Sequence, residues 1–138
     1  MPARRVIDTS VMGAALFNEA GTTLTREFLQ EDHELTAPSL LALEMASIAA
    51  KKVWRGDISV ESGQEAMADL RELIPGLSDV EDFAQRAYRL AALHRFSAYD
   101  AAYLAMAEQL GSKVVTLDEK LVSKAVEQGF GHLVEALR

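Results

Sequence analysis

Four acidic residues stand where acids are costly, and they are the side chains best placed to do chemistry. On a helix of 100° per residue, Glu44 lies among Leu40, Ile48 and Leu41 at about −40°, +40° and +60°, interrupting the apolar stripe that should face the core. Asp100 repeats the pattern, with Leu104, Tyr103 and Ala107 at about +40°, −60° and −20° from it. Asp8 and Asp118 each follow an apolar strand-like run, Val6-Ile7 and Val114-Val115-Thr116-Leu117, at the end where α/β proteins place their crevice. Carboxylates that converge repel one another unless a cation sits among them, and an all-oxygen cluster suits Mg²⁺ or Mn²⁺. Each acid alone has a plainer reading: Asp100 as the capping partner of Ser97, Asp118 as a helix N-cap, Asp8 as a turn residue. Glu44 is the hardest to explain that way, because mid-helix acids normally face water. The coincidence of four favours a site.

Composition sets the bounds. The chain has 138 residues with 14 basic and 21 acidic side chains, so the balance is 14 − 21 = −7. Setting the four acids aside leaves −7 + 4 = −3, so more than half the excess is assigned to the candidate site. Surplus acid counts against a general nucleic-acid coat, which works by matching phosphates with Lys and Arg. The absence of cysteine excludes a disulfide framework, a thiolate metal site and a cysteine nucleophile, and a reducing cytoplasm is the simple expectation. No uninterrupted apolar run exceeds seven residues, against roughly 20 for a membrane span, and Asp8 and Glu19 break up any secretion signal after the basic Met-Pro-Ala-Arg-Arg start. A length of 138 residues with a 49% hydrophobic share indicates one domain, 1–138, with a core of its own.

The elements that must position the acids follow from periodicity and caps. Val6-Ile7 ends a strand at Asp8, and Thr9 and Ser10 supply N-cap chemistry for a helix to about Asn18. A second helix restarts at Gly21-Thr22, Glu34 to Ala37 is extended, and a third helix runs from about Ser39 to Arg55. Ser59 opens a fourth helix. Leu73 to Leu77 reads as a short strand, confined to an edge by Pro75, and Ser78 with Glu81 reads as a capping box opening a fifth helix. Ser97 with Asp100 repeats that spacing for a helix closing at Gly111. Lys113 to Leu117 is a buried-strand run, Asp118 starts a helix ending near Gly129, and His132 to Leu137 is a last strand. Strands separated by helices predict an α/β fold with a mostly parallel sheet.

With these residues in place, the chain resembles the PIN-domain family, and within it the small VapC-type toxins. The likeness is carried by Val6-Ile7-Asp8-Thr9-Ser10, Leu43-Glu44, the stretch Ser97-Ala98-Tyr99-Asp100-Ala101-Ala102-Tyr103-Leu104-Ala105, and Thr116-Leu117-Asp118-Glu119-Lys120-Leu121. The resemblance implies a three-layer α/β/α sandwich around a five-stranded parallel sheet. It implies an endoribonuclease with Asp8, Glu44, Asp100 and Asp118 around Mg²⁺ or Mn²⁺, and Ser10 and Thr116 as polar supports. It also implies a cognate VapB-type antitoxin as partner, and a homodimer that assembles further with it. Ser47 stands where many relatives carry Asn, which puts one supporting contact in doubt.

Other polar residues read as follows. His33, His94 and His132 form no pair at ligand spacing and are expected to be structural or exposed. Lys51 and Arg55 project from the Glu44 helix at about −20° and +20° from the acid, a candidate phosphate track for RNA; equally they complement the helix C-terminus. Trp54 is a candidate stacking group or a packing residue. Phe28-Leu29 and Ala84 to Leu93 offer apolar surface for self-association. A receiver-like phosphate-accepting module would need an acid beside Asp8, which is flanked by Ile7 and Thr9. A PIN-like module that only binds is the other alternative.

Overall fold

A computed structural model describes residues 3–31 and 33–138; Met1 and Pro2 of the basic start, and Asp32, lie outside it. The elements in chain order are β1 (Ala3–Ile7), α1 (Thr9–Leu16), α2 (Thr22–Leu29), β2 (His33–Thr36), α3 (Leu40–Trp54), α4 (Val60–Leu73), α5 (Glu81–His94), α6 (Ala98–Leu110), β3 (Lys113–Thr116), α7 (Glu119–Glu127), and β4 (Val134–Ala136) after a 3₁₀ turn at Gly131–Leu133. The four strands pair in the order β2-β1-β3-β4, all parallel. Each parallel neighbour requires a crossover, which the helices supply. The central strands read as continuous apolar runs because both faces are covered: Val6, Ile7, Val114 and Val115 are all fully buried. β2, at the edge, carries His33-Glu34-Leu35-Thr36 and is only partly buried.

The chain runs from β1 to β2 on one side of the sheet's middle and comes back to β3 on the other, so the order switches between β1 and β3. Their C-terminal ends, Ile7-Asp8 and Thr116-Leu117-Asp118, open side by side at that switch, where open α/β sheets form a crevice. Helices flank the sheet: α1 packs with α2, α3 and α4, α6 packs on β1, β3 and α5, and α7 covers β3 and β4. α6 is the most buried helix, with every residue from Ala101 to Ala107 inside the core. Its alanines let the helix lie close to the sheet. Gly21 turns the chain into α2 at φ 87°, a left-handed conformation, with Leu117 Cδ1 only 3.1 Å from where a Cβ would stand.

Two expectations change. Among the described residues the sheet has four strands rather than five, because Leu73 to Leu77 forms no strand. What remains of that pairing is one parallel bridge between Pro38 and Ser78, where Ser78 N–H donates to the Ala37 carbonyl at 3.0 Å and Ser39 N–H donates to the Ser78 carbonyl. Pro75 and Pro38 lack the N–H groups a longer ladder would use. The Ser78–Glu81 capping box is not formed either. Ser78 is engaged in that bridge, α5 starts one residue after Val80, and the Glu81 amide is met by Asp79 Oδ1 at 3.0 Å.

Candidate functional site

Three of the four acids sit at helix starts. Asp8 is the N-cap of α1, its Oδ1 accepting from the amides of Ser10 at 3.1 Å and Val11 at 3.2 Å and from Ser10 Oγ at 2.6 Å. Asp118 is the N-cap of α7, its Oδ1 accepting from the amides of Lys120 at 3.0 Å and Leu121 at 3.2 Å. Asp100 lies in the first turn of α6, its amide donating to the Ser97 cap at 3.0 Å. Each of the three thus lies at the positive end of a helix. Glu44 comes from mid-α3, half-buried at the edge of the stripe formed by Leu41, Met45 and Ala49.

Hydrogen bonds stitch the two strand ends together. Ser10 Oγ gives its single proton to Asp8 and accepts from the Leu117 amide at 2.9 Å, and Thr116 Oγ1 lies 3.2 Å away. Thr116 Oγ1 in turn accepts from the Asp118 amide at 3.0 Å. The β1–α1 and β3–α7 junctions are therefore coupled through two hydroxyls, that of Thr116 buried and that of Ser10 half-buried, rather than through the strands alone. Glu44 is held from elsewhere: the Tyr103 hydroxyl, one helical turn beyond Asp100 on α6, donates to Glu44 Oε1 at 2.8 Å. Periodicity placed Tyr103 only on an apolar face. The available signal was chemical, since a tyrosine inside an alanine-rich buried helix needs a partner for its hydroxyl.

Electrostatics show that the four acids share one field. Burial is the chief reason that Asp8, Glu44 and Asp100 all hold their protons more tightly than free carboxyls. Asp100 adds to the rise at Asp8, Asp100 and Asp8 add to it at Glu44, and Asp118 adds to it at Asp100. Hydroxyl contacts oppose the rise at Asp8 (Ser10, Thr116), at Glu44 (Tyr103) and at Asp100 (Ser97). Tyr103 is itself pushed up, by burial first and by the Glu44 charge next, so it stays a hydrogen-bond donor. Among the described residues, no three acids or histidines stand close enough to enclose an ion by themselves. The donor set is nonetheless all oxygen and mutually repelling. That fits a hard divalent ion such as Mg²⁺, which keeps several waters and takes only one or two carboxylates directly.

The remaining candidates lie away from this cluster. Lys51 and Arg55 are exposed on α3 beyond Glu44, with Arg55 Nε paired to Asp57 at 3.3 Å. Lys52 is pinned to Glu19 at 2.8 Å over the Phe17 ring. Trp54, 78% exposed, borders an apolar groove of about 830 Å³ between α3 and α4. His33 stacks on Phe28 and bonds Glu31, and His94 bonds Gln128 beside Phe130. Phe28 is buried in that stack, so it is not surface for self-association; Tyr88 and Leu93 on α5 are exposed.

The PIN domain family model matches residues 5–127. The chain belongs to the PIN-domain family. It is 31% identical over 122 residues to Ribonuclease VapC3 of Pyrobaculum aerophilum, covering 86% of this chain and 92% of that protein. The fold matches the crystal structure of Mycobacterium tuberculosis VapC20, a sarcin-ricin loop cleaving toxin, with a TM-score of 0.70 at 15% identity, over 86% of this chain and 93% of that one. It also matches VapBC2 of Rickettsia felis, solved bound to a DNA fragment from its promoter, with a TM-score of 0.69 at 11% identity, over 98% and 99% of the two chains. This PIN domain keeps the parallel sheet flanked by helices, with four strands.

Proposed function

We propose that this PIN domain is a metal-dependent endoribonuclease that hydrolyses RNA phosphodiester bonds, and that it is the toxin of a bacterial type II pair. The observation that supports the reading is that Asp8, Glu44, Asp100 and Asp118, from four separate parts of the chain, are linked by pairwise charge repulsion beside the C-terminal ends of β1 and β3. Asp8 and Asp100 would hold Mg²⁺ or Mn²⁺, with Glu44 and Asp118 acting directly or through water. Such an ion, when bound, polarises a phosphate and lowers the pKa of its water. Ser10 and Thr116 would hold the Asp8 carboxylate in one orientation. Tyr103 occupies Glu44 Oε1 and leaves Oε2 to take a proton from the attacking water.

The partner reading rests on the relatives and on surface. The apolar groove between α3 and α4 lies along the helix that carries Glu44, and it offers a seat for an amphipathic segment of a VapB-type antitoxin. Tyr88, Leu93 and Tyr99 on the α5–α6 side would serve a homodimer. Among the described residues no helix is long and apolar enough to cross a membrane, and the cytoplasm is the compartment this reading requires. The test is cleavage of a structured RNA pool by antitoxin-free protein with Mg²⁺ or Mn²⁺, with EDTA, and in Asp100→Asn. Cleavage that needs metal and is lost in the folded variant supports the reading. Inactivity with either metal, or activity that survives EDTA, overturns it.

A further inference from the structure

An acid cluster repels the polyanion it is proposed to cut, so a cation beside the crevice must help hold the strand. Three helix-borne or helix-flanking cations are neutralised by carboxylates: Lys52 by Glu19, Arg55 by Asp57, Arg86 by Glu108. Lys124 differs. It lies on α7, half-buried, and its ammonium donates to the backbone carbonyl of Arg95 and stands 5.6 Å from the centre of the Phe96 ring. Those two residues form the corner between α5 and α6. Arg95 has φ 61°, the one non-glycine residue with positive φ among the described residues, and Ser97 then caps the helix that presents Asp100.

We propose that Lys124 binds a backbone phosphate of the RNA strand at the edge of the four-acid crevice. This deepens the ribonuclease reading and rests on it. An ammonium has three N–H donors; the Arg95 carbonyl takes one, and the Phe96 face accepts charge without accepting a proton, so two remain for phosphate oxygens. A carbonyl partner leaves the full positive charge in place, whereas a carboxylate would cancel it. The charge also reaches the site. At Asp100, burial and the Asp118 charge raise the carboxyl, the Ser97 hydroxyl and Lys124 draw it down, and no other basic side chain acts on the raised acids. The Arg95 corner fixes Lys124 relative to the start of α6, so phosphate and Asp100 are held in one frame.

The experiment compares Lys124→Gln, Lys124→Arg and Lys113→Gln with the parent in steady-state cleavage of an RNA stem-loop in Mg²⁺. RNA binding across a salt series is measured in an Asp8→Asn background, which does not cleave. Gln keeps a donor for the Arg95 carbonyl but no charge, and Lys113 is an exposed lysine at the opposite end of β3 that controls for net charge. Lys124→Gln should raise KM several-fold with little change in kcat, and flatten the log–log salt slope by about 0.7, one phosphate contact on a single strand. Lys124→Arg should restore both, and Lys113→Gln should leave KM alone. An unchanged slope and KM, or an equal effect from Lys113→Gln, overturns the assignment. A fall in melting temperature and kcat with a parent-like slope also overturns it, leaving only a clamp on the corner. Absence of cleavage by the parent protein would instead overturn the ribonuclease reading.

Discussion

At the scale of single residues, each acid is defined by the neutral donor that touches it. Among the described residues the Glu44 carboxylate has one hydrogen-bond partner, Tyr103, and Tyr103→Phe removes that oxygen while keeping the ring in the core. The variant should lose about 1.5–3 kcal/mol of stability, since a half-buried carboxylate is left without its donor, and should bind Mn²⁺ about tenfold more weakly. Denaturant unfolding and calorimetry read the two effects separately. Asp8, only 7% exposed, carries a pH signature. Its folded pKa lies above the ordinary 3.8, so the charged form destabilises the fold at neutral pH, and that cost fades as pH falls through the raised value toward 3.8. In EDTA, Asp8→Asn should therefore melt higher than the parent near pH 7 and lose that advantage near pH 4. Added Mg²⁺ should reverse the order at pH 7 by stabilising only the parent. Melting curves in which the parent is the more stable at pH 7 in EDTA would contradict the burial of a repelled carboxylate there.

At the scale of elements, caps and candidate site residues coincide, and this explains why the sequence is ambiguous about them. Asp118 truly caps α7, and Asp8 truly caps α1. The cap reading holds and leaves the site reading open to test, because a carboxylate that spends Oδ1 on two amides keeps Oδ2 uncommitted to the cap. Substitution separates them. Asp118→Asn, which retains a cap oxygen, should stay within a few tenths of a kcal/mol of the parent yet lose most activity, whereas Asp118→Ala should lose activity and about 1 kcal/mol besides. Equal instability in both variants would show that Asn does not replace the cap. The elements themselves were legible where periodicity and caps agree: α3, α4, α6, α7 and the apolar strands β1 and β3. The Leu73–Leu77 strand was not, since its pairing depends on a tertiary neighbour, Ala37-Pro38, that offers one N–H too few. The start of α5 was misread because Ser78, a good cap in isolation, is drawn into that bridge.

At the scale of the whole molecule, the sheet switch between β1 and β3 gathers acids that lie up to 110 residues apart in the chain, as Asp8 and Asp118 do. The acids were legible because each violates its surroundings: polar on an apolar helix face, or placed at a strand's C-terminal end. Tyr103 and Lys124 were not, because they match their surroundings locally and take their meaning only from partners on other elements, Glu44 on α3 and the corner at Arg95. The molecule's excess acid then has two parts, a solvated surface and a cluster that repels itself. If that cluster is one divalent-ion centre, the most direct measurement is calorimetric titration of Mn²⁺ into the folded protein and into Asp8→Asn, Glu44→Gln, Asp100→Asn and Asp118→Asn. The account predicts saturable binding by the parent, weakened at least about tenfold by Asp8→Asn and by Asp100→Asn and to a smaller degree by the other two. Binding that is absent in the parent, or indifferent to Asp8 and Asp100, would contradict it.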